Sequence, residues 1–393
     1  MKIGILTQPI NNNYGGILQN YALQTVLTRM GHEVETLNWD AYILNSHIDT
    51  TIIQRILQVI KTFISRYFLK RTRNYYWEQK DFFHQLSTNN KPFINKHLKV
   101  SGCLFGKKQF RNYVIKEHFD TLIVGSDQVW RPEYNKNGML YRMFLDFAFD
   151  LDIKRIAYAA SFGVDFWEYD NNLTGECSQL LQAFNAVSVR ELSGVTLCQQ
   201  HLSFPDVECV LDPTLLLAAD DYESLLWGHD KKKTSNKRLL TTYILNQSED
   251  KKKLISSIAK QEKLNIAEFI PQYCNLNMVT KSTINNYLSP SVIEWLQAFH
   301  DADYIICDSF HGTVFSIIFN KPFIAIGNRN RGYGRFLSLL NQLNLENNLI
   351  DETASIDCAT RILNNPIDWN QVNKKCIELK QRSMHFLNNA LNQ

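Results

Sequence analysis

Residues 303–321 read DYIICDSFHGTVFSIIFNK, an apolar run that stops at Asp308 and Ser309 and a second, helically spaced run that begins around His311. The pattern predicts a strand over Tyr304–Cys307, a cap at Asp308 or Ser309, and a helix over Phe310–Phe319. The first N–H groups of a helix lack internal partners, and its dipole puts partial positive charge at that end. An anion is therefore favoured beside His311. Gly312 would let it come close, and the imidazole could give it a hydrogen bond or a proton.

Other apolar runs end in groups of the same kind. FIAIGNRNRGYGRF (323–336) sets Arg329, Arg331 and Arg335 among glycines, and arginine forks match phosphate and carboxylate bidentately. VGSDQVWRP (124–132) places Ser126, Asp127 and Trp130 after a strand. A carboxylate there can bind or deprotonate a hydroxyl, and an indole can lie under a sugar ring. AVSVRE (186–191) ends in Arg190 and Glu191, which can pair with each other or face a ligand. The turns NNNYGG (11–16), with Asn13, Tyr14 and Gly15, and YAASFG (158–163) complete a set of cleft-facing strand ends. GxGxxG, the P-loop, HExxH and GxSxG are all absent, so a dinucleotide-binding dehydrogenase, a metalloprotease or an α/β-hydrolase has no local support.

The elements that must hold these groups alternate between strand and helix. KIGILT, a turn, ILQNYALQTVLTRMGH and VETLNW make a β-α-β opening, closed at its helical end by Gly31-His32. Strand-like segments recur at DTLIVGS, RIAYAASFG, AVSVRE, VECVLDP, LLTTYIL, NIAEFIP, DYIICDS and FIAIGN. At roughly 100–200 residues per domain, 393 residues suggest two domains. The charged stretch HDKKKTSNKR (229–238) marks a break between Pro213 and Lys237. The expected organisation is an N-terminal Rossmann-like acceptor domain over 1–215 with a helical insertion at about 50–118. A C-terminal Rossmann-like donor-binding domain over 216–370 and a terminal helix over 371–393 follow. Open α/β sheets take ligands at the carboxyl ends of their strands, here across a cleft.

Composition is that of a globular chain, with 45% hydrophobic and 21% charged residues. A net charge of +3 is too mild to argue for nucleic acid. Eight cysteines without CxxC spacing read as free thiols, with no metal site, and the N-terminus enters a strand without a signal-peptide pattern. A cytoplasmic protein is expected. Within the insertion, Ile52 to Phe68 keep helical spacing beside Arg55, Lys61, Arg66, Arg71 and Arg73. Such a basic amphipathic helix packs on its own domain or lies on an anionic membrane.

In order and spacing, NNYGGILQNYALQ, DTLIVGSDQVWRP, KRIAYAASFG, VSVRE, LDPTLLL, DYIICDSFHGTVFSIIFNKPFIAI and the arginine loop resemble the polysaccharide pyruvyl transferase family over residues 3–345. The resemblance implies a GT-B-like fold of two Rossmann-like domains facing a cleft. It implies transfer of the pyruvyl group of phosphoenolpyruvate onto two hydroxyls of a sugar or lipid-linked glycan, with no cofactor beyond that co-substrate. His311 would be the general acid, Arg190 a donor-binding residue, and Asp127 the group that orients or deprotonates the acceptor. Ser309, Phe310, Gly312, Asn13, Tyr14, Gly15, Ser126 and Trp130 would line the site. Many members carry an arginine where this chain has Ser309, leaving Arg329, Arg331 or Arg335 to supply that charge. A nucleotide-sugar glycosyltransferase of the same fold and a non-catalytic glycan-binding protein are the competing expectations.

Overall fold

Runs such as LIV (122–124) and FIAIG (323–327) are apolar at every position and buried at every position. That is the signature of strands covered on both faces, which is how parallel sheets are built. The computed structural model describes residues 1–40, 85–227, 238–269, 288–327 and 332–392, and in them eleven strands form two parallel sheets.

The first sheet contains β1 (Lys2–Leu6), β2 (Glu33–Thr36), β3 (Thr121–Val124), β4 (Lys154–Ala160), β5 (Ala186–Val189) and β6 (Val207–Cys209), in the order β2-β1-β3-β4-β5-β6. The second contains β7 (Leu239–Tyr243), β8 (Asn265–Glu268), β9 (Tyr304–Cys307), β10 (Phe323–Gly327) and β11 (Leu349–Asp351), in the order β11-β10-β9-β7-β8. Each order reverses once, between β1 and β3 and between β7 and β9. At such a reversal the flanking connections leave on opposite faces and open a crevice at the carboxyl ends.

The helices that matter for the site are α1 (Tyr14–Arg29), α2 (Leu192–His201), α3 (Val292–Asp301), α4 (Phe310–Ile318), α5 (Tyr333–Leu343) and α6 (Trp369–Asn392). Helix α1 begins at Tyr14, so Gly15 and Gly16 lie in its first turn rather than in a loop before it. Met30 caps its end, and Gly31 then takes a φ of +89°, a left-handed conformation that glycine adopts without steric penalty. The basic stretch 52–73 lies outside the described residues. Within the expected insertion, the helices Lys91–His97 and Gly106–Lys116 are formed.

The two halves are joined by packing as well as by chain. Tyr14 of α1 stacks on Trp295 of α3, with centroids 5.5 Å apart, and its hydroxyl donates to the Pro290 carbonyl at 2.6 Å. The Leu192 N–H of α2 donates to Ser338 Oγ of α5 at 3.0 Å. Helix α6 returns to the first sheet, where Ser383 Oγ accepts from Leu211 N at 2.9 Å. One buried apolar cluster holds Ile3, Leu18 and Leu23 from the first half together with Trp295, Phe315 and Phe323 from the second. Among the described residues, no helix is long and apolar enough to cross a membrane.

Candidate active site

The turn after β9 folds as its residue types dictate. Ser309 caps α4, its hydroxyl accepting from the Gly312 N–H at 3.4 Å. Asp308 does not share that work. Its carboxylate accepts from Leu245 N at 2.5 Å, Asn246 N at 3.0 Å and Lys251 Nζ at 2.9 Å, fastening the end of β9 to the end of β7. Gly312 serves packing rather than ligand approach, since a Cβ there would meet Cys307 Cβ at 3.0 Å.

His311 projects from the first turn of α4 onto the other half of the molecule. Its ring lies against Gly15, where an added Cβ would fall 2.0 Å from Nδ1. On its other side, Nε2 stands 3.4 Å from Asp212 Oδ2. That carboxylate is completely enclosed. Oδ2 accepts from Ser126 Oγ at 2.9 Å and from Arg190 Nη1 at 2.8 Å, and Oδ1 accepts from Thr214 N at 3.0 Å and Thr214 Oγ1 at 2.6 Å. The strand ends of both sheets thus converge on one cluster.

Arg190 lies at its centre, 4% exposed, with its guanidinium 4.3 Å from the centroid of the Phe310 ring. Its closest acid is Asp212. Asp127 Oδ1 stands 3.8 Å from Nη2, and Glu191 Oε2 stands 3.9 Å from Nε. Arg190 and Glu191 are therefore neighbours rather than a hydrogen-bonded pair. Asp127 takes a φ of +80°, unusual for a residue with a side chain, and accepts from Asn13 Nδ2 at 3.1 Å. Such backbone strain, of order 1–3 kcal/mol, collects at functional sites. Arg335 enters from the start of α5. Gly332, at φ +84°, leaves no room for a Cβ between the Gly163 carbonyl at 2.3 Å and the Arg335 side chain.

These groups reset one another's proton affinities. Burial alone would raise Asp212, but the charges of His311 and Arg190 and the hydrogen bond from Thr214 hold it well below the usual carboxylate range. Burial weakens the charged form of Arg190, and Asp212, Asp127 and Glu191 more than restore it. Burial raises Glu191 despite the opposing charge of Arg190 and the Ser161 hydroxyl at 2.7 Å. Arg335 is lowered to about 10, first by burial and then by the charge of Arg190. Several buried atoms here have no hydrogen-bond partner in the protein: Arg190 Nε and Nη2, Glu191 Oε2 and His311 Nε2. The two unmet Arg190 nitrogens are donors that suit an anionic ligand.

The structure brings together His311, Arg190, Asp127, Asn13, Ser126, Gly15, Phe310 and Arg335. Besides Gly312, it turns two more of the expected site residues to packing. Trp130 is 0% exposed, stacked on Phe144 at 5.0 Å, with its indole N–H donating to the Met143 carbonyl, so it cannot lie under a sugar. Tyr14 is 1% exposed and engaged with Trp295 and Pro290, which makes it a packing residue between the halves. Arg329 and Arg331 fall outside the described residues. Asp212 is the residue that sequence reasoning missed. Its signal was the end of the VECVLDP segment, where an acid precedes Pro213 and Thr214 at a strand's carboxyl side. Among the described residues, no group of three or more His, Cys, Asp or Glu is placed to hold a metal ion.

Two parallel-sheet α/β domains meeting at their strand ends define a GT-B-type protein. The sequence profile of the polysaccharide pyruvyl transferase family matches residues 13–330, and the chain belongs to that family. No curated protein matches it. Among solved structures, it is similar to a putative UDP-N-acetylglucosamine 2-epimerase from Listeria monocytogenes (TM-score 0.53, 9% identity, covering 97% of this chain and 91% of that one). It is also similar to the glycotransferase of kitacinnamycin (TM-score 0.51, 11% identity, 99% of each chain) and to S. aureus MnaA with UDP (TM-score 0.51, 11% identity, 100% and 97%). At these identities the likeness speaks for the fold alone.

Proposed function

We propose that the protein transfers the pyruvyl group of phosphoenolpyruvate to two hydroxyls of a sugar, forming a cyclic ketal on a polysaccharide precursor and releasing phosphate. Family membership supports a pyruvyl transferase of polysaccharide biosynthesis. The observation that carries the donor assignment is Arg190, buried at the meeting of the two strand-end crevices with Nε and Nη2 lacking hydrogen-bond partners. A small dianion answers that demand, and Arg335 offers a second guanidinium close enough to feel the first.

In this reading Arg190 and Arg335 grip the donor's carboxylate and phosphate. Together they face three carboxylates, of Asp127, Glu191 and Asp212. Burial favours the neutral form of Glu191, which reduces the repulsion an incoming anion meets. A proton delivered to the methylene carbon of the enol turns it into a methyl group and leaves oxocarbenium character at C2. The first sugar hydroxyl adds there and loses its proton. Phosphate then departs with its bridging oxygen, and the second hydroxyl closes the ketal. His311 supplies the proton or neutralises the departing phosphate, and Asp127 orients or deprotonates the acceptor. General acid–base assistance of this kind is worth roughly 10²–10⁴-fold. A lipid-linked acceptor would put the enzyme beside an anionic membrane. Co-sedimentation with anionic vesicles that high salt abolishes is the result expected there.

Thermal unfolding in the presence of phosphoenolpyruvate, UDP, GDP or CMP tests the donor. A ligand that binds the folded state alone stabilises it by about 2.7 kcal/mol at a hundred times its Kd. A shift with phosphoenolpyruvate, lost in Arg190→Lys, is expected. A shift with a nucleotide alone would replace this reading with nucleotide-sugar transfer, which Ser309 in place of the family arginine favours.

A further inference from the structure

The first half of the chain fixes the Asp212 carboxylate before His311 reaches it. Ser126, Arg190 and Thr214 donate four hydrogen bonds to it, at 2.6–3.0 Å, and the side chain is 0% exposed. His311 is the partner contributed by the second half, and it presents Nε2 at 3.4 Å. That separation is longer than a formed hydrogen bond, and contacts of this type shorten when substrate binds. Gly15 backs the opposite edge of the ring and prevents it from turning away.

The geometry points to Asp212 as the positioning residue for His311, holding its Nε2 edge. A carboxylate accepts hydrogen bonds and cannot donate them, so an attractive contact requires the imidazole hydrogen on Nε2. The arrangement follows the logic by which a buried acid sets the tautomer and orientation of a working histidine. It also makes the histidine depend on the packing of the two halves, because acid and base follow strands of different sheets. Asp212 would act through His311 and touch no reacting atom. That His311 donates a proton rests on the proposed function; that Asp212 orients it does not.

The neighbours of Asp212 make asparagine an informative replacement. All four hydrogen bonds to the carboxylate come from donors, so an amide must set its NH₂ against one of them. The test combines imidazole ¹⁵N spectra of histidine-labelled protein with rates of phosphate release from phosphoenolpyruvate. The His311 signals would be assigned by their loss in His311→Asn. In the wild type, Nε2 should carry the hydrogen, and in Asp212→Asn the two nitrogens should move toward evenly mixed tautomers. Phosphate release should fall about 10²-fold in Asp212→Asn, yet less than about threefold further when His311→Ala is already present. Unchanged spectra, or an equal loss in both backgrounds, would overturn the proposal and leave Asp212 as a structural counter-ion of Arg190. Should Asp212→Asn not fold, Thr214→Val removes only the 2.6 Å hydroxyl donor, and the same changes, smaller, are expected of it. Wild-type protein that releases no phosphate would count against the donor assignment, while the spectra would still judge Asp212.

Discussion

The imidazole of His311 rests on the backbone of Gly15, so closely that a methyl group there would fall 2.0 Å from Nδ1 and 2.3 Å from Cγ. Gly15 belongs to the half of the protein built on β1, and His311 to the half built on β9. This contact is one of the places where the two halves meet. Alanine at position 15 should therefore be harmful although the residue sits in a helix, where Gly→Ala ordinarily stabilises by up to about 1 kcal/mol. We expect Gly15→Ala to displace His311 and lower phosphate release from phosphoenolpyruvate by at least about 10²-fold. Gly175→Ala is the control. It also lies in a helix (Asn171–Leu181), and its added Cβ would meet nothing within 4 Å. Equal effects of the two substitutions on activity would break the argument.

The buried acids Asp212 and Glu191 should give opposite pH dependences. The folded value of Asp212 is depressed, so its contribution to stability is present above its unfolded value and is lost as the pH falls toward the folded one. The folded value of Glu191 is raised, so the folded state holds the proton longer than the unfolded chain. Stability then declines as the pH climbs from the unfolded value, about 4.3, to the folded value. Glu191→Gln removes that decline, and its Oε1 can keep the bonds from Ser161 and Phe162. Urea unfolding at a series of pH values should show the variant gaining on the wild type as pH rises. A difference that stays flat with pH would exclude the linkage.

Much of this was legible because parallel strands declare themselves. LIV, YIIC and FIAIG are continuous apolar runs, and the polar residues that follow them fall at carboxyl ends, where the fold gathers its reactive groups. His311, Arg190 and Asp127 could be chosen on that rule alone. Direction was not legible. Trp130 follows β3 by only a few residues, yet the left-handed backbone at Asp127 helps turn the chain so that the indole enters the core between Phe144 and Phe162. Pairing was not legible either. Asp212 receives bonds from residues 86 and 22 positions earlier, and nothing local to VECVLDP announces them.

Trp130 supplies a prediction that separates packing from recognition. If it is a core residue, Trp130→Phe loses the indole N–H, strands the Met143 carbonyl and leaves a small cavity. Those losses amount to roughly 1–3 kcal/mol of stability. Turnover and the acceptor KM of the folded fraction should stay within about threefold of wild type. A raised acceptor KM at unchanged stability would return the indole to the sugar site.

Arg335 sets stability against function most directly. Burial and the nearby charge of Arg190 both oppose its charged form, and together they lower it to about 10. It remains charged at neutral pH and carries that unfavourable energy in the folded state. Arg335→Ala should therefore be no less stable than the wild type without ligand. If the two guanidinium groups share one dianion, the same substitution removes a charge-assisted contact worth about 1.5–3 kcal/mol, weakening phosphoenolpyruvate roughly tenfold or more. Thermal unfolding with and without phosphoenolpyruvate reads both effects in one experiment. An Arg335→Ala protein that keeps the full ligand-induced shift would leave Arg190 to hold the donor without it.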